Sequence, residues 1–160
     1  MCNAVHGFDR ASWVLDQRIT AVAALIEPTE GSRAEDYGSA LACFDGGAQG
    51  TFFQHWGAYP TVVCEMQVFG EEGMLHVRSW DSIEVLIGDK CTIQRYFRPD
   101  HGLSERVMSG MVAEVTEMVD AVRQGRQPSP SGEDGRTSVA LVLATYNAAE
   151  RGSWIEIPGR

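Results

Sequence analysis

The sequence predicts an α+β fold, a mostly antiparallel open sheet with helices packed on one face. Three observations carry that prediction. Short β-rich runs separated by glycine turns fill the middle of the chain, a pair of long helical patterns follows them, and no strand–glycine loop–helix unit announces a Rossmann domain. A length of 160 residues with 44% hydrophobic and 9% aromatic content suffices for one cored domain, expected to span residues 1–160.

The elements follow in order. Val5, Phe8, Ser12 and Leu15 recur at three- and four-residue steps, the face of a first helix, with Asn3 as its cap. From Arg18 to Glu27 the run ITAVAALI reads as a buried strand, and Glu30 to Glu35 as a polar loop. Tyr37 to Phe44 and Thr51 to Trp56 form a hairpin across Asp45-Gly46-Gly47, whose glycines supply the positive φ of a tight turn. Thr61 to Phe69 turns through Gly70-Glu71-Glu72-Gly73 into Met74 to Ser79, and Ile83 to Ile87 turns through Gly88-Asp89-Lys90 into Cys91 to Phe97. A long helix then carries Val107, Met111, Val115, Met118 and Val122 on one stripe and stops at Gly125. Ser131, with Asp134 three residues on, caps a second long helix whose apolar face reads as Val139, Leu143 and Tyr146; Gly152 ends it. Trp154 to Ile157 is a short last strand that returns to the sheet.

Composition excludes several roles. Thirteen basic against 22 acidic residues leave a net charge of -9, the wrong sign for a nucleic-acid backbone or an anionic membrane. Cys2, Cys43, Cys64 and Cys91 lie far apart with no C-x-x-C pair, so they read as reduced thiols rather than a disulfide framework or zinc site. No signal peptide and no apolar run of about 20 residues is present, so a cytoplasmic protein is expected.

Gly46, Gly47 and Gly50 offer the nearest approach to a nucleotide loop, but Thr51-Phe52-Phe53 behind them reads as a returning strand, not a helix. No Walker segment, G-x-S-x-G elbow or H-E-x-x-H pair occurs, so no cofactor is expected within this chain. One constellation remains. Cys2, His6, Asp9 and Trp13 form a second stripe on the first helix. An imidazole beside a carboxylate suits a general acid/base acting on a hydroxyl or carbonyl, although Asp and His in early helical turns also serve as plain capping or surface residues.

Four segments resemble, in order, a known family. Asn3-Ala4-Val5-His6-Gly7-Phe8-Asp9-Arg10 with Trp13-Val14-Leu15 behind it is similar to the helix opening the C-terminal domain of the Gfo/Idh/MocA oxidoreductases, the glucose-fructose oxidoreductase and inositol dehydrogenase family. Phe44-Asp45-Gly46-Gly47-Ala48-Gln49-Gly50, Phe69-Gly70-Glu71-Glu72-Gly73-Met74-Leu75 and Pro130-Ser131-Gly132-Glu133-Asp134-Gly135 follow in the family order. The resemblance implies a dihydrodipicolinate reductase-like C-terminal domain that lacks the preceding nucleotide-binding half and its catalytic lysine. It further implies NAD or NADP as the cofactor of the full-length enzyme, a sugar, polyol or related hydroxy compound as substrate, and homo-oligomers built through the sheet face. By the same resemblance His6 orients or protonates the reacting group, Asp9 stands close to the substrate with Cys2 and Asn3, and Trp56 and Tyr59 help line the pocket. Inositol dehydrogenase-like members carry an aspartate at the position of Cys2, a departure that points to another substrate or to lost activity. A helix stripe led by Cys2 at the extreme N-terminus points to truncation.

His55, His76 and His101 share no ligand spacing, so no metal is expected, and Arg78, Arg95 and Arg98 read as solvated or interface arginines unless an anionic ligand meets them. The alternative function is a non-catalytic binding or oligomerisation module. Val62, Cys64, Met66, Val68, Leu75 and Val77 would face the core, leaving Glu65, Gln67, His76 and Arg78 on an interface anchored by Phe53 and Trp80.

Overall fold

The computed structural model describes residues 4–28, 35–55, 65–78, 81–96 and 102–158. Their elements run α1 (Ala4–Leu15), β1 (Ile19–Pro28), β2 (Glu35–Phe44), β3 (Gln49–His55), β4 (Met66–Phe69), β5 (Gly73–Arg78), β6 (Ser82–Ile87), β7 (Lys90–Arg95), α2 (Leu103–Gln124), α3 (Gly132–Arg151) and β8 (Ile155–Glu156). The fold is α+β and its strand pairs are antiparallel, as the alternation of β runs and turns predicts. The strands divide into two four-stranded sheets, ordered β3-β2-β1-β8 and β4-β5-β6-β7. Each sheet belongs to its own compact unit, Met1–Ala58 with Pro130–Arg160 and Tyr59–Ser129. The expected cap Asn3, strand residues 61–64 and anchor Trp80 lie outside the described residues.

In the first unit α3 packs on β1, and α1 packs on α3 and β3. Alternation along β2 shows which face they cover: Ala40, Ala42 and Phe44 are buried, whereas Leu41 is 50% exposed. Small side chains on the covered face let the helices come close, and Phe8 fills the space between them, fully buried with its ring 4.6 Å from Phe52 in an edge-on contact. The β2–β3 turn is tied twice. Gly47 takes the positive φ of +90°, and Asp45 accepts from the Arg18 backbone N–H and guanidinium Nε, both at 2.9 Å. Those bonds hold the Asp45 carboxyl below its ordinary pKa, the backbone bond being the larger cause.

The packed faces of two helices differ from those the periodicity predicts. On α1 the buried residues are Ala4, Phe8 and Ala11; Val5 and Ser12 stand half out. On α3 they are Ser138, Leu141, Val142, Thr145 and Ala148, while Val139 and Leu143 are more than half exposed and Tyr146 is 36% exposed. The reason is hydroxyl chemistry. Thr145 Oγ1 donates to the Leu141 carbonyl at 2.7 Å and Ser138 Oγ to that of Asp134 at 3.0 Å, so both polar side chains enter the core satisfied. Tyr146 instead reaches across to donate to Glu35 Oε1 at 2.6 Å.

The caps of α3 agree with expectation. Ser131 Oγ accepts from the Asp134 N–H at 3.3 Å while the Asp134 carboxylate accepts from the Ser131 N–H at 2.8 Å, and Gly152 takes φ +60° at the other end. After it β8 returns beside β1, with Ile155 opposite Val22.

In the second unit β4 to β7 form a meander of hairpins, the first turned at Gly70 to Gly73. A Cβ on Gly73 would run into the Leu86 carbonyl oxygen of β6, so only glycine admits this strand spacing. α2 ends at Gly125 in the left-handed conformation, φ +63°. Its stripe does not pack as the periodicity suggests: Met111, Val115, Met118 and Val122 are each more than half exposed. α2 makes no extended packing with the strands of its unit among the described residues.

Candidate active site on the first helix

The turn-by-turn geometry of α1 separates its two roles. Ala4, Phe8 and Ala11 face inward, which leaves His6 exposed, Asp9 half-buried and Trp13 77% exposed on the remaining surface. His6 and Asp9 are three residues apart and so share one face, as the sequence predicts. Asp9 has a tertiary partner. The Ser138 hydroxyl, 4% exposed on α3, stands 3.5 Å from Asp9 Oδ1 and is shared with the Asp134 carbonyl. Sequence reasoning missed Ser138, because nothing in a single chain signals which turn of α3 meets α1.

The helix itself is held from below. Gly7 and Phe8 lie against the Phe52 ring of β3, so the backbone carrying His6 rests on the sheet rather than on a loop. This is the arrangement a proton-transferring imidazole needs: a solvent-reachable ring on a fixed backbone beside a carboxylate whose own position is braced. Four other expected site residues, Cys2, Asn3, Trp56 and Tyr59, lie outside the described residues.

Gly46, Gly47 and Gly50 belong to the β2–β3 hairpin, with Gly50 opposite Ala42 and Phe52 opposite Ala40. No helix follows them, so these glycines do not fit a dinucleotide pyrophosphate. The remaining histidines take different positions. His55, at the end of β3, is half-buried, with its ring 5.6 Å from that of Phe53. His76 departs from expectation: predicted on a polar interface face, it is 8% exposed. Glu65 and Glu84 flank its ring, 3.5 Å from Nε2 and 3.6 Å from Nδ1, because Glu84 is its cross-strand neighbour and Glu65 a diagonal one. The two carboxylates address opposite ring nitrogens and therefore do not converge on one point. Arg78 pairs with Glu84 at 3.2 Å and Arg95 with Asp81 at 3.4 Å; Arg98 and His101 lie outside the described residues.

The expected interface set also divides, since Phe53 stands on the first sheet whereas Glu65, Gln67, His76 and Arg78 belong to the second unit. On the outer face of the first sheet, away from the helices, Leu25, Tyr37, Leu41 and Phe53 are exposed by 78%, 50%, 50% and 65%. No helix among the described residues is long and apolar enough to cross a membrane.

Residues 1–76, which hold α1, the first three strands and the His6 stripe, match the family described as GFO/IDH/MocA C-terminal domain. A myo-inositol 2-dehydrogenase of Thermotoga maritima is 24% identical over 155 residues, covering 91% of this chain and 45% of the relative. Among solved structures, an oxidoreductase domain protein from Kribbella flavida superposes with a TM-score of 0.82 at 21% identity, over 98% of this chain and 49% of that one. A levoglucosan dehydrogenase in complex with NADH and levoglucosan gives 0.81 at 19% identity, again over 98% and 49%. At such identities the structural likeness establishes the fold, and the chain spans about half the length of the relatives it matches.

Proposed function

We propose that this chain is the substrate-side domain of a nicotinamide-dependent oxidoreductase acting on a sugar, polyol or related hydroxy compound, with His6 as its acid/base. The observation that carries the reading is the exposed His6 on a helix packed against the sheet, beside an Asp9 braced from α3. The names of the relatives support the substrate class, since one is a myo-inositol 2-dehydrogenase and another a levoglucosan dehydrogenase complexed with NADH. Oxidising a hydroxyl carbon releases a hydride and a proton. In this reading the contribution of this chain is to handle the proton. A substrate hydroxyl within reach of the imidazole passes its proton to a ring nitrogen. In the reverse direction His6 returns that proton to the carbonyl oxygen.

The test is a fusion of this chain behind the nucleotide-binding half of the Thermotoga relative, assayed for NAD reduction over a panel of polyols and sugars. His6→Ala should lower turnover by about 10² or more with folding intact, the usual scale for losing a general acid/base. Parental turnover in that variant would reduce His6 to a surface residue.

A second reading has its own observation. Leu25, Leu41 and Phe53 expose apolar surface on the helix-free face of the first sheet, which suits a homo-oligomer contact in which that face meets its own copy about a two-fold axis.

A further inference from the structure

The spacing of apolar residues along α2 is that of a coiled-coil seam. Met108, Met111, Val115, Met118 and Val122 succeed one another at steps of three, four, three and four, which are alternating a and d positions over two heptads. All five face solvent, exposed by 56%, 54%, 64%, 54% and 69% respectively. Val112 and Val119, at the following e positions, are exposed by 60% and 41% and widen the stripe. The opposite side is polar and already engaged: Glu117 accepts from Arg126 at 2.6 and 2.8 Å and from the Ser129 N–H at 3.0 Å.

We propose that α2 pairs antiparallel with the α2 of a second copy of this chain. The available area is sufficient, since the seven exposed Met and Val side chains present on the order of 700 Å² per copy and burying most of it removes roughly 1,200 Å², the lower end of stable interfaces. The helix macrodipole chooses the orientation: an antiparallel pair sets the positive start of each helix beside the negative end of its partner, whereas a parallel pair would align like ends. Unbranched methionine at both d positions adapts its shape to the facing valines. This surface is distinct from the outer face of the first sheet and does not depend on the chemistry assigned to His6.

Sedimentation equilibrium of the chain from about 1 to about 100 μM, with Met111→Glu/Met118→Glu alongside, tests the pairing by mass action. The parental chain should associate as concentration rises. The double variant should associate at least about tenfold more weakly with an unchanged helical signal, because a charge must then enter each d layer. Phe53→Glu should leave this step in place, which separates α2 from the sheet face. A parental chain that stays monomeric, or a double variant that associates as well as its parent, overturns the proposal. Should the double variant lose helicity, amide exchange on the parental chain decides: protection across residues 108–122 that grows with concentration is expected. Protection independent of concentration means that α2 is covered within its own chain, and also overturns the proposal.

Discussion

Gly73 is the residue at which the backbone leaves least choice. A Cβ there meets the Leu86 carbonyl oxygen, a backbone atom that cannot turn away as a side chain would. Gly73→Ala should therefore part β5 from β6 and destabilise the second sheet by about 2 kcal/mol, the range of other overpacking changes. A urea midpoint equal to the parental one would show that the strands relax without loss. Position 73 was legible in the sequence only as a turn glycine; its real constraint is a neighbouring strand that the turn pattern does not reveal. The same holds for Asp9. Its spacing from His6 follows from helical periodicity, but the Ser138 hydroxyl that braces it comes from a residue more than one hundred positions away. His76 is a further case: alternation puts it on a polar interface face, but it is buried between Glu65 and Glu84, which depends on which strands lie beside it.

At the level of elements, boundaries were legible and packed faces were not. The capping box at Ser131, the left-handed glycines at 125 and 152 and the β2–β3 turn are local chemistry, and each appears where the sequence places it. The end of α2 adds a device that pattern reading does not see. Bidentate bonds from Arg126, reinforced by the Ser129 N–H, hold Glu117 down to about 2 from an ordinary 4.5. A carboxylate with a depressed folded pKa contributes stability that is fully present above the unfolded value and is lost as the pH falls through the folded one. Amide exchange at the α2 C-terminus should accordingly quicken as the pH is lowered from about 4.5 toward about 2, after correction for intrinsic rates. Glu117→Gln removes the titrating group, so its α2 terminus should show no such acid step; an identical acid response in that variant would assign it to other carboxylates.

For the whole molecule, the outer face of the first sheet, where Leu25, Leu41 and Phe53 are exposed, is the surface proposed to meet a second copy. Phe53 is 65% exposed there, so Phe53→Glu should change unfolding stability by less than about 0.5 kcal/mol, as surface substitutions usually do. It should also abolish association through that face. Light scattering on a chain already carrying Met111→Glu/Met118→Glu isolates the effect, and unchanged association would remove Phe53 from any interface. The sequence by itself determined the α+β class, the order and ends of the elements, the absence of a helix behind Gly46, Gly47 and Gly50, and the His6–Asp9 spacing. Each of these is set by contacts within a few residues, where propensity, turn chemistry and periodicity act directly. Only the tertiary structure decided that the strands divide into two sheets, that α3 buries Ser138 and Thr145 in place of Val139 and Leu143, and that α2 leaves its apolar seam exposed. Those outcomes depend on which distant surface each face meets. An apolar stripe records that a face favours burial, but the partner that buries it is chosen by shape and by hydrogen bonds between segments far apart in the chain.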